Sequence, residues 1–563
     1  MGAVEEMSGR IVLRGGRVVS TEQNSLRSLG EQGLVSADVA IEHGVITEVG
    51  GVEPRDGDRV IDCTGRLVLP GFIDAHSHAD GLVADDDVQL ALLRQGVTTV
   101  ITGQDGVSYV PGDGGYAAEY FAAINGGRPA NAGSTVADYL ASVDGTTRVN
   151  VGYLVPAGTV RFTVCGRSSG EADATELAAM VELVQQGLAE GALGLSTGLD
   201  YVPGQFQSTR EIAALCVPVA LAGGVYVSHM RGGYEANSRA GTEEIGRIAQ
   251  LAHDATGRAL PVHVSHLHAD ADIVLGALDA LAAEGHDASF DAYPYIRGCS
   301  LLAMPLLPPA LSAQPVDDVV RVLSDPDERE RLRRDWFPEV ARNPSLGPQW
   351  PSMITLAHVA APEYEWALGL TLDEGSKRAG VDAVTFALDV MRASRLRTNM
   401  VMAVQNPRPV SELARIFAHP GHVGGSDGIF IGGHPHPRAR GTFPRFLREY
   451  VRETGTWSWA DAVRHLSASP ASRFGLGDRG RIAPGAVADV IVVDPDAVAD
   501  RATYDEPLRE AVGIDDVLVA GVQVLAGGEL ARGEAAGGEP ARGPLPGRGL
   551  RRERAANREG AAR

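Results

Sequence analysis

Apolar and polar positions alternate one for one through the first seventy residues, in Ile11–Val19, Ala37–Val49 and Arg59–Asp62, with glycines breaking the runs. A period of two puts successive side chains on opposite faces and predicts short antiparallel strands. The same texture returns near the other end, in Ala488–Asp494 and Asp516–Leu525. A single small β-sandwich domain built from residues 1–69 and 481–530 accounts for both stretches, with a larger domain, residues 70–480, inserted between them.

The inserted part has a different rhythm, in which short apolar runs alternate with helical periodicity. The predicted strands are Leu67–Ile73, Gly96–Thr102, Val149–Val155, Ala192–Ser196, Gly224–Ser228, Pro261–Ser265, Ala288–Ala292 and His422–Ser426. Between them lie segments such as Glu176–Leu188, where Leu177, Met180, Val181, Val184 and Leu188 form one apolar stripe. Strands and helices alternating in this way predict an α/β fold, a (β/α)8 TIM-like barrel. The stretch from about 298 to 420 is too long for a crossover. At the C-terminal face of a barrel, an insertion of that size is expected to cover an active site. Residues 531–563 turn to Gly, Ala, Pro and Arg, the composition of a disordered tail.

Composition narrows the possible partners. A 44% hydrophobic content suits a soluble globular protein, and the formal charge of −22 excludes a nucleic-acid or anionic-membrane partner that needs a basic face. Residues 1–20 have no basic stretch leading into an apolar one, and no run reaches the length of a membrane span. The expected location is therefore cytoplasmic. Cys63, Cys165, Cys216 and Cys299 are too scattered for a disulfide framework or a thiolate zinc site and read as reduced thiols. Lys377 is the only lysine in the chain.

In a barrel, chemistry collects at the C-terminal ends of the strands. There the first strand runs into His76 and His78, whose i, i+2 spacing puts both rings on one face. The second runs into Asp105, the fifth into His229, the sixth into His266 and the eighth into Asp427. Imidazoles and carboxylates are ordinary ligands for a divalent ion, and this set suits one or two ions, zinc first among them.

The segments Pro70–His78, Gly194–Gly204, Ser228–Arg231, Ser265–His266, Asp291–Tyr295, Gly425–Gly428, His436–Arg438 with Gly441–Phe443, and Asp478–Gly480 occur in that order. Together they resemble the N-acyl-D-amino-acid deacylases (D-aminoacylases) of the metal-dependent amidohydrolase superfamily, from Ile11 to about Leu530. The resemblance implies a hydrolase of linear amides that converts an N-acyl-D-amino acid, a small-molecule substrate, to a carboxylate and a D-amino acid. It implies His76, His78, His229 and His266 as metal ligands and Asp427 as the general base and acid acting with a metal-activated water. Where the family usually has a bridging cysteine, this chain has Asp105. The implied contacts to the substrate carboxylate are Tyr293 and Arg438, with His268 at a position where the family has lysine and Cys299 where it has serine. Two alternatives stand beside this one: a hydrolase of cyclic amides of the hydantoin or dihydropyrimidine type, and a serine hydrolase using Ser196 of Gly194-Leu-Ser-Thr-Gly198. Oligomeric state is not legible.

Overall fold

A computed structural model describes residues 9–19, 33–233, 237–531 and 544–552. Eight parallel strands follow one another in chain order around the central domain: β1 (Phe72–Asp74), β2 (Val97–Thr102), β3 (Asn150–Pro156), β4 (Gly194–Gly198), β5 (Val225–His229), β6 (Val262–Val264), β7 (Ala288–Ala292) and β8 (His422–Gly424). All eight overlap the predicted runs. Every residue of β2 and β3 is buried, as expected where helices cover one face of a parallel sheet and packed side chains fill the other. The ends of β1 and β8 are joined by Ala75 N–H donating to Gly424 O at 3.0 Å and Asp427 N–H donating to His76 O at 2.8 Å. Closure of the barrel therefore runs directly into the predicted site residues.

The helices behave as their periodicity predicts. Ala174–Ala189 opens on a capping box between Asp173 and Glu176, which satisfies amides that the first turn leaves unpaired. It buries Met180 and Val184 against the barrel, with Leu177, Val181 and Leu188 packed at the margin.

Both ends of the chain build the small domain. A four-stranded sheet comes from residues 11–62, and a seven-stranded sheet places Val490–Val493 between Leu67–Pro70 and Ile514–Val519. Alternation explains how this sheet serves two cores. Val68, Val490 and Val492 face the four-stranded sheet, while Leu67, Leu69, Ile491 and Val493 pack on the barrel. The run Leu67–Ile73 is thus not one strand, which corrects the sequence reading. Leu67–Pro70 belongs to the small domain and Phe72–Asp74 to the barrel, with the corner at Gly71. A side chain there would bring its Cβ within 2.2 Å of Thr98 Oγ1, so the corner requires glycine.

The long insertion has its own antiparallel sheet, with Thr398–Met402 between Gly298–Leu301 and Ile354–Val359. It also has its own apolar core, including Leu306, Leu323, Phe386 and Met391.

A second correction concerns the tail. Residues 532–543 and 553–563 lie outside the described residues, but Gly549–Leu550 forms a strand parallel to Val151–Gly152 of β3. The low-complexity composition hid a two-residue pairing. Leu550, 8% exposed, packs with Leu154, Leu193 and Val225, and Asp144 accepts from Gly549 N–H at 2.9 Å. Leu550→Ala is expected to cost about 2–4 kcal/mol, measured as a lower denaturant midpoint; an unchanged midpoint would show that the docked strand contributes nothing.

Candidate active site

The structure brings His76, His78, Asp105, His229, His266 and Asp427 together at the C-terminal ends of the strands, all at most 6% exposed. Asp105 sits at the centre. Its Oδ1 lies 3.5 Å from His76 Nε2 and 3.7 Å from His266 Nε2; its Oδ2 lies 3.7 Å from His78 Nε2 and 3.5 Å from His229 Nδ1. Each carboxylate oxygen therefore faces two imidazoles. Asp427 Oδ1 is 3.2 Å from His78 Nε2, and Asp427 Oδ2 is 2.8 Å from Arg438 Nη2.

Three of these residues have left-handed backbone, with φ of 55° at Asp105, 32° at His266 and 49° at Asp427. Side chains with a Cβ adopt that region at a cost of about 1–3 kcal/mol, and such strain concentrates at functional sites. Gly198 lies against this strained turn, and a Cβ there would meet Asp105 O at 2.0 Å. The glycines of Gly194-Leu-Ser-Thr-Gly198 thus admit close backbone contact. Ser196 is fully buried, donates to Gly103 O and accepts from Gly106 N–H at 3.2 Å. A hydroxyl tied to backbone on both sides is not a nucleophile, and the serine-hydrolase alternative is set aside. Lys377 is 74% exposed in its side chain and pairs with Asp373 at 2.7 Å, so it supplies no bridging ligand.

Around these residues lies a layer that the sequence reading had not assigned. His78 Nδ1 is 2.8 Å from Asn125 Oδ1, whose amide nitrogen donates to Val107 O at 2.9 Å. That second bond fixes the orientation of Asn125, and hence His78 donates from Nδ1 and turns the Nε2 lone pair to the site. His76 Nδ1 lies 3.4 Å from Asp291 Oδ2, and His229 Nε2 lies 3.2 Å from Asp200 Oδ2. Asp291 and Asp200 fall within segments that carried the resemblance; Asn125 had no such signal.

Charge is tightly balanced here. Burial pushes the Asp105 carboxyl up, but the His229 and His76 imidazoles overcome it and hold it well below the usual range. Burial likewise lowers His229, yet Asp105 and Asp200 raise it to about 10; Asp291 and Asp105 raise His76 to about 9 in the same way. His76 Nε2 and Asp105 Oδ1 are buried with no hydrogen-bond partner. Donors bound to one ion at about 2.1 Å stand about 3–4 Å from each other, the spacing seen here, so the residues fit a divalent cation. Among the described residues, two groups have donor atoms within 4.8 Å of one another, His76 with His78 and Asp427, and His76 with Asp105 and His266.

A cavity of about 440 Å³ is lined on one side by His229, His266 and Asp427 and walled on its other side by the insertion. Of the four residues expected at the substrate carboxylate, His268, Tyr293 and Cys299 line it. Arg438 does not: it is fully buried behind Tyr293, with Cζ 4.5 Å from the ring centroid, and is paired with Asp427. Burial, reinforced by Arg408 and His266, holds His268 well below the usual imidazole range. Cys299 stays a neutral thiol, pushed up to about 12 by burial.

The Amidohydrolase family model matches residues 59–214 and 369–525. N-acyl-D-glutamate deacylase of Alcaligenes xylosoxydans xylosoxydans is 33% identical over 87% of this chain and 89% of its own length. D-aminoacylase of the same organism is 30% identical, with 87% and 90% covered. Among solved structures, N-acyl-D-glutamate deacylase from Bordetella bronchiseptica, complexed with zinc and a phosphonate mimic of the tetrahedral intermediate, superimposes with a TM-score of 0.76. It is 29% identical, with 96% of this chain and 99% of that one covered. Matched over 87% of its length in sequence and 96% in fold, the chain belongs to the N-acyl-D-amino-acid deacylase family of the amidohydrolases.

Proposed function

We propose that the protein hydrolyses the amide bond of N-acyl-D-amino acids, releasing a carboxylate and a free D-amino acid. The observation that carries this reading is Asp105, whose two oxygens each face a pair of imidazoles at 3.5–3.7 Å, two of which, His229 and His266, line the cavity. His76, His78, Asp105, His229 and His266 would hold one or two divalent ions, zinc first among them. A bound ion would supply a lowered water pKa and polarisation of the acyl carbonyl.

The other steps fall to the chain's own side chains. Asp291, Asn125 and Asp200 orient the three imidazoles from behind, so that each presents one defined nitrogen. Arg438 anchors Asp427 through Oδ2 and leaves Oδ1 turned towards His78. Burial raises the Asp427 carboxyl, but Arg438 and His266 outweigh it and keep it ionised at neutral pH. Asp427 Oδ1 accepts a proton from the attacking water and returns it to the amine nitrogen, because an amide anion is too poor a leaving group.

The test is a screen of paired N-acetyl-D- and L-amino acids, with hydantoins alongside, and metal analysis of the same preparation. Expected are turnover confined to the linear D series, loss on chelation and recovery with added zinc. Turnover of hydantoins alone, or activity indifferent to chelator, would overturn the proposal.

A further inference from the structure

The turn that carries Asp427 is not one the local sequence would hold by itself. β8 ends at Gly424, and the residues that follow are Gly425, Ser426, Asp427 and Gly428, two of them glycines with wide backbone freedom. Asp427 nevertheless has φ of 49°, a conformation that a residue with a side chain keeps only where its surroundings fix it. The hydrogen bonds of the turn lead to the carboxylate of Asp74.

Asp74 is the last residue of β1 and is fully buried. Its Oδ1 accepts from Ser426 N–H at 2.7 Å and from His76 N–H at 3.2 Å, and its Oδ2 accepts from the Ser426 hydroxyl. Ser426 Oγ in turn accepts from Gly428 N–H at 2.9 Å. Between these two amides, that of Asp427 donates to His76 O at 2.8 Å. The N–H groups of three successive residues are thus held by Asp74, by the backbone of His76 and by the Ser426 hydroxyl that Asp74 orients. A carboxylate buried at the closure of a barrel is costly unless donors of this kind surround it. Among the described residues, Asp74 belongs to neither group of candidate metal ligands.

The far end of Asp427 is held by Arg438 at Oδ2. Its backbone and its carboxylate are therefore fixed from different parts of the chain, the one by β1 and the other by the helix Arg438–Arg445. Because Asp74 Oδ1 also takes the N–H of His76, the first histidine and the turn share one reference point.

We infer that Asp74, acting through Ser426, is a positioning residue that sets where Asp427 Oδ1 stands relative to His76 and His78, and so governs turnover and not substrate binding. This rests on the reading of Asp427 as the proton carrier. A proton is passed only within hydrogen-bond reach of the group that takes it, and a misplacement of about 1 Å can cost about 10²-fold in rate.

The test is a double-mutant cycle in the metal-loaded enzyme, with the best substrate of the screen. Ser426→Ala removes the hydroxyl that joins Asp74 to Gly428 N–H. It should lower kcat about 10- to 100-fold, while KM and bound metal stay near wild-type values. In an Asp427→Asn background the same change should hardly alter the residual rate, because the side chain it positions no longer carries a proton. A purely structural role would instead lower the rate by the same factor in both backgrounds. Should Ser426→Ala fail to fold, Asp74→Asn serves. It keeps an acceptor for the two backbone amides but turns an amide nitrogen towards the hydroxyl, and a fall in kcat that disappears beside Asp427→Asn is expected of it too. The inference is overturned by an unchanged kcat in the variant tested, by loss of metal in step with rate, or by equal proportional losses with and without Asp427→Asn. Failure of the underlying reading looks different, since Asp427→Asn alone would then keep a near-normal kcat.

Discussion

Asp427→Asn is expected to lower kcat/KM by about 10²- to 10⁴-fold, the usual contribution of a positioned acid and base, while bound metal stays near wild-type levels. The amide keeps the shape of the carboxylate and an oxygen facing His78, but it neither accepts nor returns a proton. A confounding effect follows from Arg438. That guanidinium is fully buried and loses its 2.8 Å partner, and an uncompensated buried charge costs about 3–5 kcal/mol. Thermal stability should therefore fall together with activity. Pairing Asp427→Asn with Arg438→Met separates the two: stability should recover and turnover should not. Near-normal kcat in a metal-loaded Asp427→Asn enzyme would rule the residue out as the proton carrier. Loss of metal with loss of rate would instead assign it to the ligand set, where its grouping with His76 and His78 also fits.

The second large effect is at Asp105. Asp105→Ala should weaken metal binding by more than the roughly 10- to 100-fold that follows loss of an outer contact, with turnover falling in parallel. Among the described residues, no other carboxylate stands among all four imidazoles. Asp105→Cys offers the conservative comparison, because a thiolate is also a metal ligand. It should retain metal better than alanine does. Wild-type metal stoichiometry and affinity in Asp105→Ala would remove the residue from the site.

Much of this was legible in the sequence because it depends on local rules. All eight barrel strands were visible as short apolar runs, and the site residues follow from where those runs end. What escaped notice depends on distant contacts. Leu67–Ile73 reads as one strand because its apolar run is unbroken, and only the steric demand at Gly71 reveals the corner. Asn125 acts through a single bond to His78, 47 residues away, and leaves no periodic trace. Arg438 could be recognised as functional, but not that Asp427 rather than substrate holds it.

The pairing of Leu67–Pro70 with Val490–Val493 has a bearing on how the chain is made. During synthesis the whole barrel emerges before the second of these segments exists, so one edge of Leu67–Pro70 waits unpaired while more than four hundred residues are added. The strand Gly549–Leu550 arrives later still, to fill a place beside β3 low in a barrel already formed. Folding of the nascent protein must therefore pass through a stage with an open sheet edge and a partly unsealed barrel floor, the kind of surface on which chains associate wrongly. Yield in the cell should accordingly depend more on chaperone supply and on the rate at which these last segments appear than on the stability of the finished enzyme.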